Sequence, residues 1–497
     1  MEAITQKSET VQAIFQMTVS GQNLDKNHEA KYVNELVNQF KEMNPILFER
    51  QKKERGAPIK YQLDELLKFD VFTTLTNVRS YRKREQLLSN NDEACNFLLN
   101  DKRPSRSTMN NFRLNNALLI LEFDYFLNQW AVEKKLVTGD HIVIDSTKIK
   151  AYSNLYRTIN INGLIYLQDI IYNESFNKSK NSDWKKLKNY FYNDKLPEDM
   201  VDLIEEIYRN LNKEGIKILK NALYSYEKRD WTIGFIDYLL ENYDGKHPVN
   251  LTDPESRKMR MKDDTVRYGY TLQVARDVKN GFVIANKVTQ EKNDKKGFQN
   301  LILDIKMNLG FAPRFASLDN GYWGLGMMEC ALEHGVIPIC PDLKDAMRIN
   351  GTESDNIFHS CNMNFDPVKE VFGCRNLCEL KLNPEDSEKE DKLVFKTEEC
   401  CNCQFQEECA PKMFRKITMS AHPLFLENKK NFFAGREIGY YKYRGCFSEG
   451  YFGTLFHGNE YPHLRRRGLK KAEVDLKLEC IAANIKIIMN HFEVCEL

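Results

Sequence analysis

No uninterrupted apolar run in the chain approaches the roughly 18 residues that a membrane-crossing helix needs, so no span is expected. The opening MEAITQKSETVQ lacks a charged-then-apolar leader, so export is not expected and the cytoplasm is the expected compartment. An excess of one charge is also missing: 72 lysines and arginines stand against 71 aspartates and glutamates, a net charge of +1. That excludes a global basic field, so any contact with nucleic acid must rest on local patches. No serine, tyrosine or cysteine constellation suited to nucleophilic catalysis stands out. What is present is an ordinary globular composition, 42% hydrophobic and 29% charged. At 497 residues the chain is too long for one core, and two to four domains are expected. Its 13 cysteines are an odd number and many are clustered, which without an export signal points to reduced or metal-bound thiols rather than disulfides.

Three acidic residues far apart in the chain carry the most information. They are Asp145 in HIVIDSTKIKAYSN, Asp319 in FASLDNGYWG and Glu449 in CFSEGYFGTLFHG. The first two end apolar, strand-like runs, and the third lies in a segment readable as a helix. If the fold brings them together, their carboxylates repel unless a cation sits between them. Oxygen-only ligands suit Mg²⁺ or Mn²⁺, and two such ions about 4 Å apart are the usual apparatus for cutting and joining phosphodiesters. Taken singly, Asp145 before Ser146-Thr147 also reads as a cap or turn residue, and Asp319-Asn320-Gly321 as a plain turn.

Up to about residue 137 the apolar spacing is helical, as in 63–75 and 116–136. Between these helices, eight basic residues face four acidic ones: Arg79, Arg82, Lys83, Arg84, Lys102, Arg103, Arg106 and Arg113 against Glu85, Asp92, Glu93 and Asp101. Pro104 with Ser105 or Ser107 starts a helix there, carrying Thr108, Asn110, Asn111 and Arg113. Such side chains contact phosphates or base edges; the alternative is a solvated bundle surface. After residue 137 the texture turns to HIVID, then a lysine-rich helical stretch over 156–245. YGYTLQVARD and FVIANKVTQ around Asn280-Gly281 predict a β-hairpin. A helix over 297–310, the strand FASLD, the helix MMECALEHG and the strand VIPICPD follow. This order predicts a mixed sheet flanked by helices and interrupted by a helical insertion.

Downstream, Cys374 and Cys378 are followed about twenty residues later by Cys400, Cys401, Cys403 and Cys409. This spacing suits a structural Zn²⁺, with Cys374, Cys378, Cys403 and Cys409 as the chosen ligands and Cys400 as the alternate. Reduced cysteines in a loop-rich insertion are the other reading, and LNPEDSEKEDK within it is expected to be an exposed loop. Arg465, Arg466 and Arg467 open a C-terminal helix with Leu469, Ala472, Leu476, Cys480, Ala483 and Ile487 on the face meant for the sheet. The basic run suits phosphate; a solvated turn is the alternative. Tyr268, Tyr270, Tyr322 and Trp323 suit either base stacking or the core.

IDSTKIKAYSN, TDPESRKMRMKDD before YGYTLQVARD, LDNGYWG and RRRGLKKAEVDLKLECIAANIKII occur in this order between about residues 60 and 490. In these motifs the chain resembles the DDE transposases of bacterial insertion sequences, in the branch with an all-helical N-terminal domain. The resemblance implies a ribonuclease H-like α/β core formed by 138–155, 246–343 and 436–497. It implies an N-terminal DNA-binding domain over 1–137, a helical insertion over 156–245 and a Cys-rich insertion over 344–435. By motif, Asp145, Asp319 and Glu449 are the catalytic, metal-binding triad for two Mg²⁺ or Mn²⁺ ions. Tyr441 and Arg444 precede Glu449 as in the family, though the gap from Arg444 to Glu449 is one residue longer than usual. Seven residues after Glu449 stands Phe456 rather than Lys, which leaves His457 or Arg465–Arg467 for the phosphate contact. The expected DNA contacts are Arg79, Arg82, Arg103, Arg106, Arg113, Arg444, Arg465 and Arg466. The implied partners are double-stranded DNA, as element ends and target, and a second copy of the chain, on a bacterial nucleoid. The rival readings are an inactive or domesticated DNA-binding protein and a nuclease that cuts without joining.

Overall fold

The computed structural model describes residues 23–49, 60–172, 182–193, 198–349, 351, 357–390, 392–409, 414–433, 436–455 and 463–497. Its centre is a mixed sheet. In chain order the strands of the first two-thirds are β1 (His141–Lys150), β2 (Thr158–Ile159), β3 (Val249–Asn250), β4 (Arg257–Arg260), β5 (Val266–Asp277), β6 (Val283–Thr289), β7 (Phe315–Leu318) and β8 (Ile337–Ile339). β1 is central: β5 pairs antiparallel to one side, and β7 then β8 run parallel on the other. β4 and β6 both pair with the far edge of β5, and β2 pairs with β3 at the neck of the insertion.

The predicted hairpin is present. Gly281 takes φ +70°, the left-handed conformation that a tight turn needs, and its N–H donates to the Asp277 carbonyl at 2.9 Å. Asp277 is fully buried and also accepts from Thr138 and Gly139, which fixes where the chain enters β1. The helix predicted over 297–310 spans Gly297–Leu309 and stops at Gly310, φ +81°.

The N-terminal helices are less separate than the sequence suggests. Helices Glu29–Met43, Leu63–Leu75 and Ala117–Glu133 bury their apolar residues in one continuous core with Ile142, Ile144, Ala316 and Leu318 of the sheet. Every residue of Leu63–Leu75 is buried, so this helix has neighbours on all sides. The C-terminal helix Leu469–Met489 joins the layers. Ala472, Leu476 and Cys480 pack with Tyr270, Leu272 and Val274 of β5, as predicted. A second face, with Leu478, Ile481 and Ile485, packs in the N-terminal core. At the sheet edge, Asn484 bonds both backbone groups of Val283, at 2.7 and 2.8 Å, and so satisfies an edge strand.

The helical insertion has its own core, including Leu164, Leu167, Ile207 and Leu219. The Cys-rich insertion is a five-stranded antiparallel sheet: β9 (Asn364–Asp366), β10 (Val371–Gly373), β11 (Glu379–Leu382), β12 (Lys392–Lys396) and β13 (Ile417–Ser420). Phe365, Phe372, Leu380 and Phe395 fill it. Part of the expected loop LNPEDSEKEDK is instead the helix Pro384–Glu390. Asn383 starts it by accepting from Asp386 N–H at 2.9 Å, and proline suits its first turn.

Candidate active site

Register brings the two aspartates together. In the parallel pair of β1 and β7, Ile144 lies opposite Leu318, so the next residues, Asp145 within β1 and Asp319 just past the end of β7, stand at the same level. Neighbouring strands are about 4.8 Å apart, which makes this a meeting of two carboxylates. The charge between them is a guanidinium. Arg444 Nη1 lies 3.1 Å from Asp145 Oδ2, and Nη2 lies 3.9 Å from Asp319 Oδ2. Burial opposes the charge on Arg444, but Asp145 and then Asp319 outweigh it and raise its pKa. Each aspartate also accepts from the next backbone N–H, Ser146 at 2.8 Å and Asn320 at 2.6 Å, which orients the carboxylates.

Arg444 comes from the helix Arg436–Gly453, which lies across β1, β7 and β8. Tyr441 anchors it beside Ile339 and Phe432, while Tyr451 and Phe452 pack on the β5 side. Burial first, and then Asp319, push the Tyr441 hydroxyl up to about 12 despite the nearby Arg444. Arg276 stacks on Tyr451 at 4.8 Å and donates to the Phe447 carbonyl, tying the helix to β5. Glu449 belongs to this helix, but its side chain lies outside the described residues, as do Phe456 and His457.

A third carboxylate near the pair was not anticipated. Asp294, in the polar loop after β6, accepts from Ser146 Oγ at 2.5 Å and lies 3.8 Å from Lys148 Nζ. The buried Tyr322 is pushed well above its ordinary pKa by burial first, then by Asp294, Asp145 and Asp319, so all three surround it. A polar loop leaving a core strand is a common place for functional groups, but nothing in the spacing of Asp294 pairs it with Asp145. Tyr268, Tyr270 and Tyr322 are buried core residues, with no face free for a base, while the half-buried Trp323 packs on Phe425 at 5.4 Å.

Two stretches of the chain match known family models. Residues 374–489 match a transposase DDE domain, and residues 19–115 match a transposase domain (DUF772). Together the two matches indicate a DDE transposase of the insertion-sequence kind. The first match includes the Arg444 helix and the C-terminal helix, while Asp145 and Asp319 fall between the two. No curated protein and no solved structure matches the transposase.

Apart from Arg444, which pairs with the two aspartates, the arginines expected on DNA divide into two groups. Arg79 is buried and grips Glu479 at 2.5 and 2.7 Å; Arg113 is buried between Asp70 and Asp475. Expected as DNA contacts, both are internal ties here, buried and paired with carboxylates, at the floor of the cleft that Arg82 and Arg465 edge. Arg466 likewise pairs with Asp475 at 2.6 Å. Arg82, Arg103, Arg106 and Arg465 are exposed. Of the two serines expected to start the helix, Ser105 is the cap and accepts from Thr108 N–H at 3.2 Å, with Arg106 next to it. Arg82 and Arg465, with His463 and Tyr152, edge a cleft of about 370 Å³ between the helical layer and the C-terminal helix.

Cys374, Cys378, Cys400, Cys403 and Cys409 all line one cavity of the Cys-rich insertion, and Cys401 does not. Among the described residues, Cys330, Glu333 and His334 are the group whose metal-type ligand atoms lie mutually within 4.8 Å. Lys306 Nζ stands 3.5 Å from His334 Nδ1, a cation beside this group.

Proposed function

We propose that the transposase binds the terminal inverted repeats of its element, cleaves the DNA there and joins the ends to a target. The observation that carries this is the convergence of Asp145 and Asp319 on Arg444, on the helix that also holds Glu449. The strand order, with β5 antiparallel to β1 on one side and β7 then β8 parallel on the other, supports a ribonuclease H-like core over 138–155, 246–343 and 436–497. The remaining parts would be an N-terminal DNA-binding region over 1–137 and insertions over 156–245 and 344–435.

The donor set at the aspartates is hard oxygen, which fits Mg²⁺ or Mn²⁺. When bound, a pair of such ions supplies activation of the attacking hydroxyl and stabilisation of the leaving oxygen. Asp145, Asp319 and Glu449 would hold them. Arg444 offsets one of the two aspartate charges until then, and is placed to turn to a DNA phosphate once metal takes its partners. Ser146 and Asn320 N–H groups hold the carboxylates in orientation. Exposed Arg82, Arg103, Arg106 and Arg465 would position the duplex by its backbone. Holding both element ends together requires a dimer on DNA, at the nucleoid in the cytoplasm. A structural zinc in the Cys-rich insertion is the other metal in this reading.

Asp145→Asn and Asp319→Asn should each abolish Mg²⁺-dependent cleavage of element-end DNA while leaving end-binding within a few-fold of wild type, since affinity comes from basic contacts. Cleavage retained by either variant would sink the reading. Strand-transfer products in the wild-type reaction separate a transposase from a nuclease that only cuts, and failure of the wild type to cleave favours a DNA-binding protein.

A further inference from the structure

The Cys-rich insertion carries a cluster that the DNA chemistry does not use. The turn between β10 and β11 holds Cys374 and Cys378, and Cys374 N–H donates to the Cys378 carbonyl at 2.9 Å. Facing it, Cys403 N–H donates to the Cys400 carbonyl at 3.3 Å, and Cys409 N–H to the Phe405 carbonyl at 2.8 Å. Asn376 Nδ2 bridges the two segments, 4.0 Å from Cys378 Sγ and 3.7 Å from Cys403 Sγ. The five thiols share a cavity of about 30 Å³ and are free of disulfides. A space that size admits one or two water-sized bodies, which suits an ion and excludes an organic ligand.

We propose that this cavity is a structural zinc site held by Cys374, Cys378, Cys403 and Cys409, with Cys400 adjacent but not ligating. Four thiolates and a tetrahedron with Zn–S near 2.3 Å are what zinc takes in such sites. No three of these sulfurs lie within 4.8 Å of one another, so binding draws the side chains inward by rotamer change on backbone turns already in place. Each thiol gives its proton to solvent as the metal binds, leaving a centre of net charge −2. Arg375 and Arg415, which also line the cavity, offset that charge, and Glu399 opposes them. The site ties β10 and β11 to the segment running from β12 to β13. Beyond β13, the helix Pro423–Phe433 locks onto the core through buried Lys429, 3.1 Å from Asp342.

The test is metal content of the full-length chain, a readout independent of DNA cleavage. Wild-type protein reloaded with zinc and dialysed should hold about one zinc per chain by elemental analysis. Cobalt in its place should show sulfur-to-metal charge-transfer absorption. Cys403→Ser and Cys409→Ser should lose the metal, while Cys400→Ser and the exposed control Cys401→Ser should keep it. Wild-type chain with zinc no higher than buffer and no cobalt–thiolate band, or equal loss from Cys401→Ser and Cys403→Ser, overturns the proposal. The wild-type measurements decide even if a serine variant fails to fold.

Discussion

Arg444 stands between the aspartates as their counter-cation, which has a measurable consequence. A divalent ion must compete with it for Asp145 and Asp319. Arg444→Ala should therefore tighten Mn²⁺ binding to the DNA-free protein by about tenfold, about 1.4 kcal/mol, the scale of one missing charge partner. It should also slow cleavage, and calorimetric titration beside an end-cleavage assay checks both; unchanged or weaker Mn²⁺ binding contradicts the counter-cation role. A second single residue sets an acid limit. Burial pushes the Asp70 carboxyl up, but Arg113 and Arg84 outweigh it and hold its pKa at about 2, below the ordinary 3.8. A depressed folded pKa contributes stability that is complete above the unfolded value and is lost as pH falls through the folded one. Between about pH 4 and pH 2 the contribution of Asp70, on the order of 2 kcal/mol, should disappear. Thermal melts over that range should fall steeply for wild type and less steeply for Asp70→Asn.

At the scale of elements, the C-terminal helix is the part most dependent on paired charge. It is buried on two faces and carries Asp475, Lys477 and Glu479 into the interior. Lys477 meets Asp124 at 2.7 Å, with both side chains under one-tenth exposed. Removing one partner leaves a buried charge alone, so Lys477→Ala should cost roughly 3–5 kcal/mol. Replacing both, as Lys477→Met with Asp124→Leu, should recover most of that, because a well-packed apolar pair is often as stable as a buried ion pair. Denaturant melts of the two singles and the double complete the cycle; a double variant no more stable than Lys477→Ala contradicts the argument.

Over the whole molecule, balanced charge makes position decisive. With net charge +1, DNA affinity must be concentrated at exposed basic edges such as the cleft with Arg82 and Arg465. Arg82→Glu with Arg465→Glu should weaken end-binding and make its salt dependence shallower, by about 0.9 in log–log slope for each phosphate that the variant no longer neutralises. The fold should survive, since exposed charges contribute little to stability. Unchanged affinity would move the DNA path elsewhere, with Arg103 and Arg106 the next exposed pair to test.

What the sequence determined by itself was local. Asn280-Gly281 between two β-rich runs marked the hairpin, Pro104 with Ser105 or Ser107 marked a helix start, Gly310 a helix end, and the short motifs marked the family. Turn and cap chemistry act over a few residues, so they can be read without the fold. The convergence of Asp145 with Asp319 was inferred only through resemblance, because the register of β1 on β7 is a pairing across more than 170 residues. The fates of Arg79 and Arg113 were invisible for the same reason. An arginine on a phosphate and an arginine on a buried carboxylate are the same letter, and only packing of the C-terminal helix against the N-terminal layer supplied Glu479 and Asp475 as partners. Asp294 was likewise assigned its neighbours by the loop path after β6. Tertiary structure decides such matters because charge pairing and burial depend on distance in space, which sequence separation does not encode.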